Sequence, residues 1–163
     1  MADLKDIAKR LARICRFAGR GRWFAPDLDH SIVVWLLSAC DECSGPIQRQ
    51  CLLHDICETE SGEVPNGHKT AEQAAHERTV QLGMLAALGV PDGEQERCQG
   101  TVKGYDVEAG DSEAHLLGNV PSDLGRPLFV TARAEAFHLA LRHLPVRLKV
   151  WAFMAIGRAL LGD

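Results

Sequence analysis

His54 and Asp55 stand side by side at the end of the apolar run Cys51-Leu52-Leu53, and Glu58, Glu60 and Glu63 follow closely. An imidazole nitrogen with a carboxylate oxygen suits a divalent ion such as Mn, Fe, Co, Ni or Zn, and an acid just outside the ligand set suits proton transfer from a water. Neighbours on a helix project about 100° apart. His54 and Asp55 can therefore flank one point only if other segments supply the remaining ligands, and His30 and Asp106 are the candidates. Taken singly, each of these residues is more often a cap or a surface group than a ligand, so the case rests on the set. A second feature is basic: Lys9, Arg10, Arg13, Arg16, Arg20 and Arg22 share one segment with no acidic residue among them. A small polyanion plus a cation would satisfy both features, whereas the plainer reading of the basic segment is a solvated helix face.

The elements that must carry these residues read as helices. Leu4, Ile7, Ala8, Leu11, Ile14, Cys15 and Ala18 recur at helical spacing before Gly19 and Gly21, which predicts a first helix of about four turns. Asp27 is positioned to cap a second helix running to about Cys43, and a third is expected from about Ile47 to before Gly62. Thr70 to Leu88 is again helical in pattern. Gln95 to Leu117 is weakened by Gly100, Gly104 and Gly110, predicting one kinked helix or two short ones. Leu128–His143 and Val146–Leu161, separated by Pro145, make a final pair within 128–161. With no alternating strand runs and no repeats, the expected fold is all-α, a compact multi-helix bundle; at 163 residues, 46% of them hydrophobic, residues 1–163 are expected to form one domain.

Composition narrows the functions. A formal charge of −4 argues against a stable nucleic-acid complex, which needs a broad basic surface. The charged N-terminus MADLKDIAKRLARIC fits neither a membrane span nor a secretory signal, and the six cysteines sit mostly in helical patterns rather than a disulfide framework, so a cytoplasmic location is expected. Cys40 and Cys43 lack a second pair at zinc spacing and read as part of a helix face. The helix Leu148 to Leu161 carries apolar residues outside a single stripe; core packing is the plain reading and a homo-oligomer contact the alternative.

In order, the motifs resemble the HD-domain phosphohydrolases, whose pattern is H…HD…D on a helical scaffold, and more narrowly the small bacterial and phage members acting on nucleotides, such as the 5′-deoxynucleotidases and dATP triphosphohydrolases. DIAKRLARICRFAGRGR is similar to that family's DIA-x₃-SRICRF-x-G-x-x-R, and His30-Ser31 to the HS of its SVAEHS. LLHDICETESGEVPNGHK is similar to LLHD-x-x-E-x-x-x-GD-x-x-x-x-x-K, and VKGYDVEAGDSEA to VK-x-AD-x-x-x-L-x-x-EA. Residues 25–29 (APDLD) replace the usual YSVAE, Arg20 stands where a His is common, and Glu63 replaces Asp. Those departures bear on substrate shape.

The resemblance implies one divalent metal ion (Mn, Co, Zn, Fe, Ni or Mg) on His30, His54, Asp55 and Asp106, within a site spanning about 16–113, and Glu113 as a supporting acid. It implies a nucleotide substrate, a deoxynucleoside mono- or triphosphate, with Glu58 acting on the attacking water and Glu63 assisting the leaving group or holding the sugar. Arg16, Lys69 and one of Arg20 or Arg22 would neutralise phosphate charge, and Phe17, with Trp23 and Phe24 behind it, would touch sugar or base. The alternatives are a non-catalytic nucleotide or metal sensor and a hydrolase of another phosphate ester. Phe17 also reads simply as the last apolar residue of the first helix.

Overall fold

Leu4, Ile7, Ala8 and Leu11 are all buried, and the Asp3 side chain accepts from the Lys5 backbone N–H, so helix α1 runs Leu4–Leu11. The computed structural model describes residues 3–62, 64, 69–118 and 126–162. The expected continuation of α1 to Ala18 does not occur. The Arg16 N–H donates to the Ala25 carbonyl (2.9 Å) and the Asp27 N–H to that of Ile14 (3.1 Å), which pairs Cys15 with Pro26 as an isolated antiparallel bridge. Backbone groups satisfied across the loop are withdrawn from the helical ladder. Arg16–Gly19 then forms a 3-10 turn in which Phe17, Ala18 and Gly19 take left-handed φ of 55°, 50° and 71°.

Helix α2, Asp27–Cys40, is apolar nearly all round and packs against α1, α3 (Gly45–Leu53), α6 (Glu94–Leu117), α7 (Ala132–Arg142) and α8 (Val146–Leu161). Pro26 is its N-cap, so Asp27 lies in the first turn instead of capping it. The expected third helix is broken: α3 stops at Leu53, His54–Cys57 form a turn, and α4 is the short segment Glu58–Ser61. Helix α5, Ala71–Ala87, opens with a capping box between Thr70 and Gln73. Gln95–Leu117, expected as a kinked helix or two short ones, lies within the single 24-residue helix α6. Glycine costs a helix about 1 kcal/mol per residue relative to alanine, and the packing of α2, α3 and α7 along α6 outweighs it. The segment before α7 is not helical; Thr131 caps that helix by accepting from the Ala134 N–H.

No strand occurs among the described residues, and the fold is an all-α multi-helix bundle. No helix is long and apolar enough to cross a membrane. One apolar cluster joins α1, α2, α3, α6, α7 and α8, with Leu11, Leu28, Val33, Leu37, Leu52 and Phe153 fully enclosed. A Cβ on Gly157 of α8 would lie 3.0 Å from Leu4 Cδ1, so the close approach of α1 and α8 depends on that glycine.

Two aromatics of α8 separate core from surface. Phe153 is completely buried, whereas Trp151 is 67% exposed. Phe153→Ala should lower unfolding free energy by about 3–5 kcal/mol, and Trp151→Ala should leave it within about 0.5 kcal/mol. Chemical denaturation of both variants checks this; equal losses would contradict the assignment of the core face.

Candidate metal centre

The turn that ends α3 positions the first two site residues. A helix end leaves carbonyls without intrahelical partners, and the Cys51 carbonyl is met by His54 Nδ1 at 2.9 Å. A carbonyl only accepts, so Nδ1 carries a hydrogen and Nε2 is the nitrogen turned toward Asp55 and Asp106. The turn is clamped from outside by Gln81 of α5, 2% exposed: its Oε1 accepts from the Cys57 N–H (3.0 Å) and its Nε2 donates to the Leu53 carbonyl (2.7 Å). His30, fully buried, comes from the first turn of α2, and Asp106 from the middle of α6. Gly110, one turn beyond Asp106, faces the same cluster: a Cβ there would sit in ordinary contact with Arg16 Nη2 (3.7 Å) and His30 Cε1 (3.8 Å).

Four donor atoms converge. His54 Nε2 lies 2.9 Å from Asp55 Oδ2 and 3.7 Å from Asp106 Oδ1, while His30 Nε2 lies 3.1 Å from Asp106 Oδ1 and 4.0 Å from Asp55 Oδ2. Donors about 2.1 Å from one ion stand about 3.0 Å apart at right angles and about 4.2 Å apart when opposed. The set therefore fits a shared divalent cation, which would replace the proton between the buried His54 Nε2 and the carboxylates of Asp55 and Asp106. Two imidazoles and two carboxylates suit a first-row transition ion or zinc.

Charge makes the same point. Asp27, Asp55, Glu58, Asp106 and Glu113 crowd the cluster, against the guanidinium of Arg16 and the ammonium of Lys103. Arg16 is the hub: Nε donates to Glu113 Oε2 (2.8 Å), Nη1 to Asp27 Oδ1 (2.9 Å), and Asp55 Oδ2 stands 3.7 Å from Nη1. Burial opposes its charge, but Glu113, Asp27 and Asp55 hold its pKa well above the ordinary value. Asp27 is pushed up to about 7 by burial and by the Asp55 carboxylate, against the pull of Arg16. Burial, reinforced by Arg16, lowers His30 to about 3, which keeps it neutral. For His54 burial works downward, yet Asp55 and Asp106 raise it well above the usual imidazole range, so an incoming ion must displace a proton there.

Behind His30 lies a second buried layer. Glu113 Oε2 is 3.7 Å from His30 Nδ1, and Glu113 Oε1 is 3.8 Å from Nδ1 of His138 on α7, whose Nε2 donates to the Ala109 carbonyl at 3.1 Å. Asp29 and Lys149 form a buried pair nearby, with 2.6 Å between Oδ2 and Nζ.

The proposed substrate contacts are placed unevenly. Glu58 opens α4, and its carboxylate clusters with those of Asp27 and Asp55. Arg16 enters the cluster, and its guanidinium carbon stands 5.4 Å over the Phe17 ring. Lys69 pairs with Glu77 of α5, and Arg20 is exposed on the 3-10 turn. Arg22 packs against Gly118 at the end of α6, about 18 Å along the helix from Asp106 at 1.5 Å per residue. Trp23 lies beneath the Arg142 guanidinium at 4.1 Å, in a small cleft with Asp29, His138 and Lys149. Glu63 lies outside the described residues. Sequence reasoning did not find Asp27, Gln81, Lys103 or His138 as members of the site; Lys103, which donates to Asp106 Oδ2 at 2.5 Å, was signalled by its i,i+3 spacing. The chain matches no family model and no curated protein.

Protein stripped of metal and then dialysed against Mn²⁺ or Co²⁺ should retain one ion per chain, and His54→Ala or Asp106→Ala should lose it by elemental analysis. Stoichiometric ion in either variant would remove that residue from the ligand set. His138 supplies a test of burial. Burial, with the charge of Arg16 adding to it, lowers its pKa to about 4, below the 6.5 of an exposed imidazole. The unfolded chain thus binds this proton first, and between pH 6.5 and 4 metal-free protein should lose stability on acidification by up to about 1.4 kcal/mol per unit from this group. His138→Gln should remove that component of the slope in denaturant titrations; an unchanged slope would mean the imidazole is solvated.

Proposed function

We propose that this chain is a metal-dependent phosphohydrolase of nucleotides, acting on deoxynucleoside mono- or triphosphates. The observation that carries the reading is the convergence of His30, His54, Asp55 and Asp106 on one point beside the buried acid Glu58. The ordered motif resemblance described above supplies the choice of phosphorus chemistry. A divalent cation held by those four residues supplies a Lewis acid for phosphate oxygens and lowers the pKa of water toward neutrality.

The chain's own groups divide the remaining work. Glu58 accepts a proton from the water as it attacks phosphorus, a role worth about 10²–10⁴ in rate. Arg16 brings positive charge beside Asp55 and Lys103 beside Asp106, and non-bridging phosphate oxygens at the cluster need such charge. His54 is fixed through Nδ1 on the Cys51 carbonyl, and His30, whose Nδ1 stands 3.7 Å from Glu113 Oε2, by its complete burial.

One observation favours a second reading. Arg16 already serves Asp27 and Glu113, and Lys69 serves Glu77, so phosphate binding requires these pairs to exchange. A non-catalytic sensor of the metal alone binds no phosphate and leaves these pairs intact.

Metal-loaded protein given a panel of nucleoside mono-, di- and triphosphates should release phosphate, pyrophosphate or triphosphate. Glu58→Gln should keep its ion and lose about 10²–10⁴ in kcat. No turnover across the panel by protein carrying one ion per chain would replace the enzyme by the sensor, and loss of the ion in Glu58→Gln would make Glu58 a ligand.

A further inference from the structure

Helix α6 presents one continuous stripe toward α3. Gln95, Gln99, Val102 and Asp106 follow at intervals of four, three and four residues, so they share a face, and Gln50 and His54, four apart at the end of α3, stand opposite. Together with Lys103 these six line a cavity of about 140 Å³, far above the roughly 10–15 Å³ that one water needs. Its inner end consists of two of the four metal-site residues. From there it runs outward along α6: Gln99 and Gln95 lie seven and eleven residues before Asp106, about 10 and 16 Å along the axis.

The lining is uncommon in its chemistry. Gln50 is 2% exposed, and its Nε2 donates to Glu94 Oε1 at 3.0 Å, which fixes that amide. Glu94 is itself held by Arg49, Nε to Oε1 at 2.9 Å, so the wall is rigid. Gln95 Oε1 is buried and has no hydrogen-bond partner among the described residues. A buried acceptor left unmade costs about 1–3 kcal/mol, and a turn of the Gln95 amide toward the cleft would let a ligand donor recover it. Val102 adds an apolar surface between the amides.

We propose that this cleft is a nucleobase site: the base of the substrate lies against Val102, and Gln95 accepts one of its N–H groups. A glutamine amide offers an acceptor and a donor side by side and matches the paired donor and acceptor edge of a base, which a sugar hydroxyl does not present. The inference rests on the nucleotide reading above and deepens it, since the cleft runs outward along α6 from His54 and Asp106 to Gln99 and Gln95 and has room for a sugar between phosphate and base.

Free nucleosides test it without any phosphate chemistry. Ligand-observed NMR on the metal-loaded full chain should show at least one of deoxyadenosine, deoxyguanosine, deoxycytidine and thymidine binding where 2-deoxyribose does not, and Gln95→Leu should weaken that binding about five- to tenfold. Nucleosides no better than 2-deoxyribose, or unaltered by Gln95→Leu, would overturn the base site. 2-Deoxyribose 5-phosphate, measured on the same preparations, should bind wild type and Gln95→Leu equally, which shows that the variant is folded; an equal loss for 2-deoxyribose 5-phosphate would assign Gln95 to the fold and overturn the proposal. The two readings fail separately. Base-dependent binding without release of phosphate from nucleotides retains the cleft and removes the enzyme, whereas phosphate release with no base dependence removes the cleft and retains the enzyme.

Discussion

A single buried guanidinium organises this molecule. Arg16, on the turn after α1, is bonded to Asp27 at the start of α2 and Glu113 near the end of α6, with Asp55 of the α3–α4 turn beside it. Four segments are thereby fixed about one charge. Removing one member of such a buried pair costs about 3–5 kcal/mol, because the partner is left charged without water or a counterion. Lysine is no substitute, since Nε and Nη1 reach two different carboxylates at once through a planar fork. The left-handed run Phe17-Ala18-Gly19 is the local cost of presenting Arg16 inward; non-glycine residues there cost about 1–3 kcal/mol each and persist only where tertiary contacts dictate them.

Around that charge the polar interior is layered. The four candidate ligands face one point, Glu113 and His138 back His30, and Gln81 pins both sides of the turn that carries His54 and Asp55. Carboxylates nevertheless outnumber basic groups. An interior with surplus negative charge is unfavourable in a low dielectric, and the upward shift of Asp27 shows where a proton relieves it without an ion. A cation at the cluster offsets the same surplus, so its presence and the protonation of the acids are alternatives.

How much of this was legible in the sequence depends on range. The all-α character and the capping box at Thr70 follow from local rules. His30, His54, Asp55 and Asp106 were found by residue type and motif order, and three helices do bring them together. Asp27 was misread because a capping rule sees only the residues that follow, whereas its partner lies across the preceding loop. The early end of α1 was hidden for a similar reason: apolar periodicity continued past Leu11 while the backbone bonds of Ile14 and Arg16 went to residues 25–27. The glycines of α6 exaggerated its weakness, since packing by three neighbours is not written in the segment itself. His138 belongs to the final helical pair, and no short-range signal connects it to His30.

The Arg16–Glu113 bond spans 97 residues and the His30–Asp106 contact 76. Contacts of such separation require loop closure before they stabilise anything, and they form late in folding. A chain leaving the ribosome would therefore complete its first four helices with Arg16, Asp27, Asp55 and Glu58 exposed to water, and would acquire its charged interior only once α6, with Asp106 and Glu113, had emerged and docked. Until then it has no cluster to load, so capture of an ion there would follow synthesis rather than guide it.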